Sequence, residues 1–396
     1  MAFLYFISIL IFLVICLCVL YIWIIAIAGI QVVELPAGTV PKWRFAIAIP
    51  AHDEQEVIGG TIDQLKKQGY RADLFTIFVA ADNCTDQTAE VARAHGAMCF
   101  ERKTAERGGK GAALIWLFDR IFQEQEDEYL AVVIFDADTR VDPGFLQVMN
   151  KRLECGANVI QGKHVISNAD QGWFPALTWA MMTADCRLFS QGRSNLGLSA
   201  RHMGDSICFR SQVLKSLGWG EGLTEDYDLR LRLILDSIRI EYEPTAIGYG
   251  QAPVTWKEAE MQRLRWARGT LDSSRKFRRK LLVEGARQRS WLMIDGALSI
   301  LIPSFSTQGI LSILMLLGSW LILPSSMSWL VYAWVVILLL LFLYPWFGLA
   351  LEKSPGWAYL AVLSGPLFMI WRTLIHLLAR IKGKNIVWVR TQHRKL

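Results

Sequence analysis

The chain has 396 residues, of which 53% are hydrophobic, and its mean hydropathy of +0.29 indicates a membrane protein with one sizeable soluble domain rather than an ordinary soluble protein. The net charge of +6 is mild, and because basic residues concentrate beside apolar segments, in 263–280 and after Arg372, they favour a cytoplasmic membrane surface over nucleic-acid binding. Seven cysteines, an odd number with no CxxC pair, argue against a disulfide framework or a zinc site and predict reduced thiols in a cytosolic compartment.

The N-terminal segment predicts a membrane helix. Residues 2–33 contain no charged side chain and are long enough to cross a bilayer. A cleaved signal peptide is the alternative, with Ala26-Ile27-Ala28 as its cleavage site, but the apolar run is too long and no basic region precedes it. We therefore predict a retained transmembrane helix in 1–33, followed by a short linker.

Residues 44–250 alternate between two kinds of pattern. Apolar runs predict strands at 45–50, 74–81, 131–135, 159–165, 206–210 and 238–243, and amphipathic segments predict helices at 57–68, 85–95, 112–123, 173–189, 212–218 and 227–235. This rhythm is typical of parallel βαβ units in an α/β domain. A Gly-rich loop is expected at 107–111. No GxGxxG follows the first strand, so the main signal of a dinucleotide-binding dehydrogenase is missing.

The C-terminal part predicts further membrane segments. Residues 254–285 suit an amphipathic helix along the membrane surface. Residues 296–351 carry no charge, and Pro324-Ser325-Ser326 divides them into two spans. Residues 354–381 predict either a re-entrant or interfacial segment or a fourth span. We favour the former, because the basic tail, 382–396, should stay in the cytosol.

Two carboxylates follow the buried strand at 131–135. Asp136 and Asp138 lie at the carboxyl end of that strand, where ligands bind in open α/β sheets. Hard oxygen ligands there suit Mg²⁺ or Mn²⁺ carrying a diphosphate. A surface turn is the alternative for this motif alone. Lys110, flanked by two glycines, could approach a phosphate, or it could be a solvated lysine in a flexible loop.

Carboxylates also follow the first two strands. Glu54, in the segment Pro50–Glu54, and Asp82 could accept hydrogen bonds from a base and from ribose hydroxyls. We interpret Asp53 and Asp86 as structural residues, the latter at a helix start.

Two later motifs could complete the chemistry. Thr224-Glu225-Asp226 lies at a helix start, where a carboxylate could be a general base or could simply favour the helix dipole. Gln262, Arg265 and Trp266 have a spacing of i, i+3 and i+4, so they project to one side of a helix. The arginine could neutralise a leaving diphosphate, and the tryptophan could stack on a sugar ring. A plain basic-aromatic membrane helix is the alternative.

Five motifs in one order carry a family resemblance: Glu54, Asp82, Asp136-Ala137-Asp138, Thr224-Glu225-Asp226 and the QRLRW segment from Gln262 to Trp266. The chain resembles the membrane-embedded family 2 glycosyltransferases, a branch that includes cellulose, chitin and hyaluronan synthases and ceramide glucosyltransferase. The resemblance covers about 45–280. It implies a GT-A-type fold with a Rossmann-like, mostly parallel sheet, a nucleotide-sugar donor that is usually UDP-linked, a divalent cation (Mg²⁺ or Mn²⁺) and inverting transfer by direct displacement.

The resemblance and the motifs together predict the role of each site residue. Asp226 is the expected general base, with Glu225 beside it, and Asp138 with Asp136 is the expected metal site. The expected donor-binding residues are Pro50, His52, Glu54, Asp82, Lys110, Asp136, Gln262 and Arg265. The expected acceptor-binding residues are Trp266, Phe209 and Arg210.

One departure from the family pattern leaves the chemical identity of the acceptor open. Polysaccharide synthases usually have a Gly-rich segment before the Phe-Arg pair, whereas here Asp205 and Ser206 precede Phe209 and Arg210. The few predicted spans favour a lipid acceptor or a short saccharide at the cytosolic membrane face. A processive polysaccharide synthase and an inactive nucleotide-sugar-binding subunit are the alternatives. We expect the lipid bilayer, and no nucleic acid, as a partner.

Overall fold

The structure is a computed structural model that describes residues 2–36, 38–105, 108–124, 128–220, 222–322 and 328–381. The strands are β1 (Phe45–Ala51), β2 (Phe75–Asp82), β3 (Met98–Arg102), β4 (Ala131–Ile134), β5 (Arg140–Val141), β6 (Val159–Ile166), β7 (Ile207–Arg210) and β8 (Ile240–Gly250). The helices are α1 (Ala2–Ala28), α2 (Ile58–Leu65), α3 (Thr88–Ala94), α4 (Gly109–Glu124), α5 (Phe145–Glu154), α6 (Trp173–Asp185), α7 (Gln191–Asn195), α8 (Ser211–Leu217), α9 (Glu225–Leu235), α10 (Trp256–Gln288), α11 (Trp291–Leu301), α12 (Phe305–Ile322), α13 (Ser328–Leu351), α14 (Gly356–Val362) and α15 (Gly365–Ile381).

The strands form one eight-stranded sheet in the order β3-β2-β1-β4-β7-β6-β8-β5. Four pairs are parallel, namely β1 with β2, β1 with β4, β2 with β3 and β6 with β8. Strand β7 runs antiparallel to β4 and β6, and β5 runs antiparallel to β8. This mostly parallel sheet with helices on both faces confirms the predicted α/β class. The short strand β3 at the edge was not predicted from the sequence.

The continuous apolar runs of the central strands follow from burial on both faces. Alternate residues of β1 point to opposite sides of the sheet. Ile47 packs in the same cluster as Phe145 of α5, whereas Ala48 packs in the cluster that contains Leu117 of α4. The sheet therefore holds two hydrophobic layers, and its carboxyl edge carries the polar side chains.

Lys110 lies in a helix, which corrects the prediction of a flexible Gly-rich loop. Helix α4 begins at Gly109, so Lys110 belongs to its first turn. Gly111 packs against Glu225, because a Cβ at Gly111 would lie 3.3 Å from the Glu225 Cγ. Arg107, at the start of the predicted loop, lies outside the described residues. The lysine side chain is thus presented by a rigid element.

Three of the described helices are long and apolar enough to cross a membrane, namely Tyr5–Ala28, Phe305–Ile322 and Ser328–Leu351. A fourth span results if α14 and α15, which meet at a 50° bend, count as one. Both alternatives for 354–381 therefore stay open. The predicted break at Pro324-Ser325-Ser326 and the basic tail, 382–396, lie outside the described residues.

The N-terminal helix is attached to the soluble domain by a buried polar cluster. The Tyr21 hydroxyl donates to Asp295 Oδ1 at 2.6 Å, and Arg193 Nη1 donates to the Tyr21 oxygen at 2.8 Å. Arg193 also forms an ion pair with Asp295. These bonds fix α1 relative to α7 and α11, and hence relative to the edge of the sheet.

Candidate active site

A cleft with a volume of about 1530 Å³ runs along the carboxyl edge of the sheet and under α10. Nearly all of the predicted site residues line it. They are Pro50, His52, Glu54, Asp82, Lys110, Asp136, Asp138, Glu225, Asp226, Gln262, Arg265 and Trp266. Strand ends that are far apart in the sequence therefore meet at one edge, as expected for parallel strands.

Phe209 and Arg210 do not line this cleft, so the prediction that they contact the acceptor is wrong. Strand β7 is antiparallel to β4, and Arg210 pairs with Ala131 at the start of β4. The end of β7 thus lies at the opposite edge of the sheet from Asp136. Phe209 is fully buried, and Arg210 donates to the Ala157 carbonyl oxygen at 2.8 Å. Both residues have structural roles.

The corner that carries Asp136 includes partners that the sequence did not predict. The Asp136 N–H donates to Asp205 Oδ1 at 3.1 Å, and Asp205 Oδ2 is 3.1 Å from His164 Nδ1. Lys110 forms an ion pair with Asp136. Burial raises the pKa of Asp136, and the charges of Asp205 and Asp138 add to that rise, although Lys110 opposes it. Negative charge is therefore crowded at this corner.

This crowding fits a divalent cation. Magnesium is usually held by one or two carboxylates together with substrate phosphates, rather than by a complete protein cage. Asp136 and Asp138 offer such an incomplete oxygen set, which a diphosphate would complete. Within the described ranges, the one group of three side chains compact enough to hold an ion unaided is His52, Asp53 and Cys84, whose ligand atoms lie within 4.8 Å of one another.

Asp226 and Glu225 occupy the first turn of α9. Asp226 Oδ1 accepts the Tyr227 N–H at 2.8 Å. Burial raises the pKa of Asp226, and Lys110 and Arg265 oppose that rise. Burial, followed by the negative charge of Asp226, raises the pKa of Glu225 to about 7. Two carboxylates thus lie in a desolvated site next to two cations, which suits a proton acceptor near neutral pH.

Two small residues allow this close assembly. A Cβ at Gly269 of α10 would lie 2.5 Å from Thr224 Oγ1, so only glycine lets α10 pack against the start of α9. A Cβ at Gly204 would lie 3.4 Å from Asp226 Oδ2 and 3.7 Å from Lys110 Nζ. The α9 carboxylate and the α4 lysine therefore approach the same point from two helices.

The other end of the cleft holds Asp82. Its side chain accepts from Arg102 Nη1 at 2.6 Å, and its carbonyl oxygen is 2.6 Å from His52 Nδ1. Arg102 lies on β3, the unpredicted edge strand, and therefore was missed. Asp53 accepts the Thr85 N–H at 2.6 Å. Asp86 accepts the Thr88 N–H at 3.0 Å, which agrees with its interpretation as a helix-start residue.

The fold and the cleft define a glycosyltransferase of the GT-A type, and comparison with known proteins gives the family. The chain belongs to the family described as "Glycosyltransferase like family 2", whose model matches residues 41–269. It is therefore a glycosyltransferase by family, and its described residues include apolar helices long enough to span a membrane.

Two curated relatives are similar over the same region. The "probable glycosyltransferase YdaM" of Bacillus subtilis is 27% identical over 248 residues, which are 58% of this chain and 58% of that protein. The "beta-monoglucosyldiacylglycerol synthase" of Nostoc sp. is 31% identical over 238 residues, which are 57% of this chain and 48% of that protein. The matched region thus spans about half the length of these relatives.

One solved structure is similar over nearly the whole chain. It is a mannosyltransferase, PcManGT, from Pyrobaculum calidifontis in complex with GDP-Man and Mn²⁺, with a TM-score of 0.57 and 14% sequence identity. The similarity covers 95% of this chain and 97% of that chain. At this identity the likeness shows the fold alone, which is the GT-A-type fold predicted from the sequence.

Proposed function

We propose that this chain is an inverting membrane glycosyltransferase that transfers a sugar from a UDP-linked donor, glucose or N-acetylglucosamine, to a hydroxyl group of a lipid. The observation that carries the proposal is the convergence of Asp226 and Lys110 on one point, at 3.4 and 3.7 Å from the Cβ position of Gly204. A proton acceptor and a phosphate-binding cation that approach the same point suit a hydroxyl nucleophile and a leaving diphosphate. We also propose that the chain is divided into an N-terminal transmembrane span, a cytosolic catalytic domain and C-terminal membrane helices.

The proposed reaction is a single displacement. The acceptor hydroxyl oxygen attacks the anomeric carbon as the bond from that carbon to the diphosphate oxygen breaks, and Asp226 takes the hydroxyl proton. Lys110 and Arg265 balance the charge of the departing nucleoside diphosphate. Asp136 and Asp138 would hold Mg²⁺ or Mn²⁺, which would supply further positive charge to the diphosphate. Glu54 and Asp82 would bind the nucleoside, and Trp266 would line the acceptor entrance.

A lipid acceptor is favoured by the extent of the cleft. Besides the sheet edge, the cleft is lined by Tyr21 of α1, Phe305 of α12 and Tyr344 of α13, which belong to apolar helices. A lipid entering from the bilayer could therefore reach Asp226. The curated relative that is named as a monoglucosyldiacylglycerol synthase also supports a lipid acceptor. Orientation of the catalytic domain towards the cytosol is supported by the basic residues that flank the apolar segments.

The test uses the purified full chain with labelled nucleotide sugars, membrane lipids and Mn²⁺. We expect nucleotide release and a labelled product that partitions into organic solvent. Asp226→Asn should lower the rate by about 10²–10⁴-fold, whereas Asp170→Asn, an exposed residue outside the cleft, should not change it. A long water-soluble polymer would instead indicate a processive polysaccharide synthase. Absence of nucleotide release with every donor would indicate an inactive binding subunit.

A further inference from the structure

The cleft continues from the proposed catalytic centre towards the apolar helices, and this second part is lined by basic side chains. They are Arg263 on α10 and Arg372, His376 and Arg380 on α15. We call these four residues the basic group. Apolar residues, among them Leu177 and Phe368, line the same part of the cleft. The three arginines of the group thus concentrate positive charge in a part of the cleft that apolar side chains also line.

The basic group is only weakly compensated by carboxylates. Arg263 Nε is buried and makes no hydrogen bond, and its guanidinium carbon lies 4.7 Å from the centre of the Trp266 ring and 5.9 Å from that of Phe368. In the part of the chain that the structure describes, no carboxylate forms an ion pair with a member of the group. The charge of Asp185 acts on Arg372, but the Asp185 carboxylate is hydrogen-bonded to Arg201. Burial, followed by the charge of Arg372, lowers the pKa of Arg263 to about 9. Uncompensated guanidinium groups in a desolvated site are costly unless they bind an anion.

Two other arginines of the chain form ion pairs with carboxylates, unlike Arg263 and Arg372. Arg201 donates two hydrogen bonds to Asp185, at 2.6 and 2.9 Å. Arg268 donates to Asp272 at 3.0 Å. Arg201 and Arg268 are thus paired with carboxylates, whereas Arg263 and Arg372 have no ion-pair partner among the described residues. Arginine is the residue best suited to bind a phosphate group through two parallel hydrogen bonds.

We propose that the basic group binds the phosphate of a phospholipid with a hydroxylated head group, and that this lipid is the acceptor. The order of residues along the cleft matches such a molecule. Asp226 would face the head-group hydroxyl, Arg263 and Arg372 the phosphate, and the apolar helices the acyl chains. The phosphate is not altered in the reaction. This inference rests on the proposed function and adds the chemical class of the acceptor.

Arg263 and Arg265 serve different ligands in this scheme. They are two positions apart on α10, so their side chains leave the helix in nearly opposite directions. Arg265 is close enough to Glu225 and Asp226 to affect the pKa of both, whereas Arg263 packs between Trp266 and Phe368. Loss of Arg263 should therefore weaken lipid binding without weakening donor binding.

The test compares acceptors with the same acyl chains. The full chain is reconstituted in phosphatidylcholine vesicles that contain either phosphatidylglycerol or neutral diacylglycerol, and nucleotide release and labelled lipid are measured. We expect preferential transfer to phosphatidylglycerol. Arg263→Gln and Arg372→Gln should each raise the half-saturating amount of this lipid about tenfold, as expected for one lost charged hydrogen bond, with an unchanged half-saturating donor concentration. Arg279→Gln, an exposed α10 residue outside the cleft, is the matched control.

A second readout separates this proposal from the proposed function. Phosphatidylglycerol retained by the purified protein, quantified by mass spectrometry without any donor, should fall in Arg263→Gln and be largely restored in Arg263→Lys. Equal retention in all variants, or transfer to diacylglycerol at the same rate and with no effect of Arg263→Gln, would overturn the phospholipid proposal. Equal use of soluble glycerophosphoglycerol would also overturn it, because the ligand would then be a free phosphate. Normal retention without nucleotide release would overturn the proposed function, and with it the acceptor role of the lipid, but not the phosphate-binding site.

Discussion

Gly204 offers a sharp test of the proposed catalytic centre. Its φ of +77° lies in the left-handed region, and its carbonyl oxygen accepts a hydrogen bond from Lys110 Nζ at 2.5 Å. The substitution Gly204→Ala would add a methyl group 3.4 Å from Asp226 Oδ2 and 3.7 Å from Lys110 Nζ. The change therefore strains the backbone and also fills the space beside the base and the lysine, at van der Waals distance from both.

These two effects have different sizes and different readouts. Placing alanine in the left-handed region costs about 1–2 kcal/mol, which should lower the thermal unfolding temperature of the detergent-solubilised protein. The added methyl group would occupy the point on which Asp226 and Lys110 converge, and would displace a bound acceptor hydroxyl from it. Because a misplacement of about 1 Å can cost 10²-fold in rate, we expect kcat to fall by about tenfold.

The matched control is Gly156→Ala. Gly156 has a φ of +94°, and no atom lies within 4 Å of the Cβ position, so this variant carries a backbone strain of the same kind without crowding the cleft. Both variants should lose stability, but only Gly204→Ala should lose activity. Equal nucleotide release by the two variants, measured well below their unfolding temperatures, would refute the assignment of the catalytic centre.

Three further predictions concern charge and packing. Burial raises the pKa of Asp226, and Arg265 opposes that rise. Arg265→Gln should therefore keep the base protonated to higher pH and move the acid limb of the kcat/KM profile up by about one pH unit. An acid limb that does not move would argue against Asp226 as the base. Asp295→Asn should lower the free energy of unfolding by about 3–5 kcal/mol, because it removes the ionic partner of Arg193, whose side chain has no exposed surface. A loss below about 1 kcal/mol in denaturation experiments would contradict this prediction. Gly269→Ala places a Cβ 2.5 Å from Thr224 Oγ1 and should push α10 away from α9. The affinities for donor and for acceptor should then both fall in binding titrations. A fall in only one of these affinities would be inconsistent with a shift of the helix.

The sequence predicted those parts of the site that depend on local patterns. Buried parallel strands are recognisable as apolar runs, and their polar ends must meet at one sheet edge. Asp82, Asp138 and Asp226 were therefore placed correctly in one cleft. The acceptor role of Phe209 and Arg210 was instead taken from the family pattern, which does not reveal that β7 runs antiparallel to β4 and carries both residues away from the cleft.

Other features depend on contacts that no sequence pattern reveals. Asp205 was noted only as a departure from the family pattern, yet its carboxylate accepts the Asp136 N–H at 3.1 Å. Arg102 lies on an edge strand whose residues are partly exposed and lack the apolar run of a central strand. The short loop predicted around Lys110 is a helix because tertiary contacts with Asp136 and Glu225 hold its first turn.

Helix α10 links the two halves of the proposed mechanism. Successive residues on an α-helix are separated by about 100°, so Arg265 and Arg263 reach the donor side and the lipid side from the same two turns. Helix α10 packs directly against Thr224 because position 269 is a glycine. This contact would set the distance between a phosphate bound at Arg263 and the Asp226 carboxylate. Because α1 is bonded to the soluble domain through Tyr21, Arg193 and Asp295, and Tyr21 also lines the cleft, the cleft has a fixed position relative to this apolar helix. If a phospholipid is the acceptor as proposed, a head group whose hydroxyl lies at the matching distance from its phosphate would reach Asp226, and a longer or shorter head group would not.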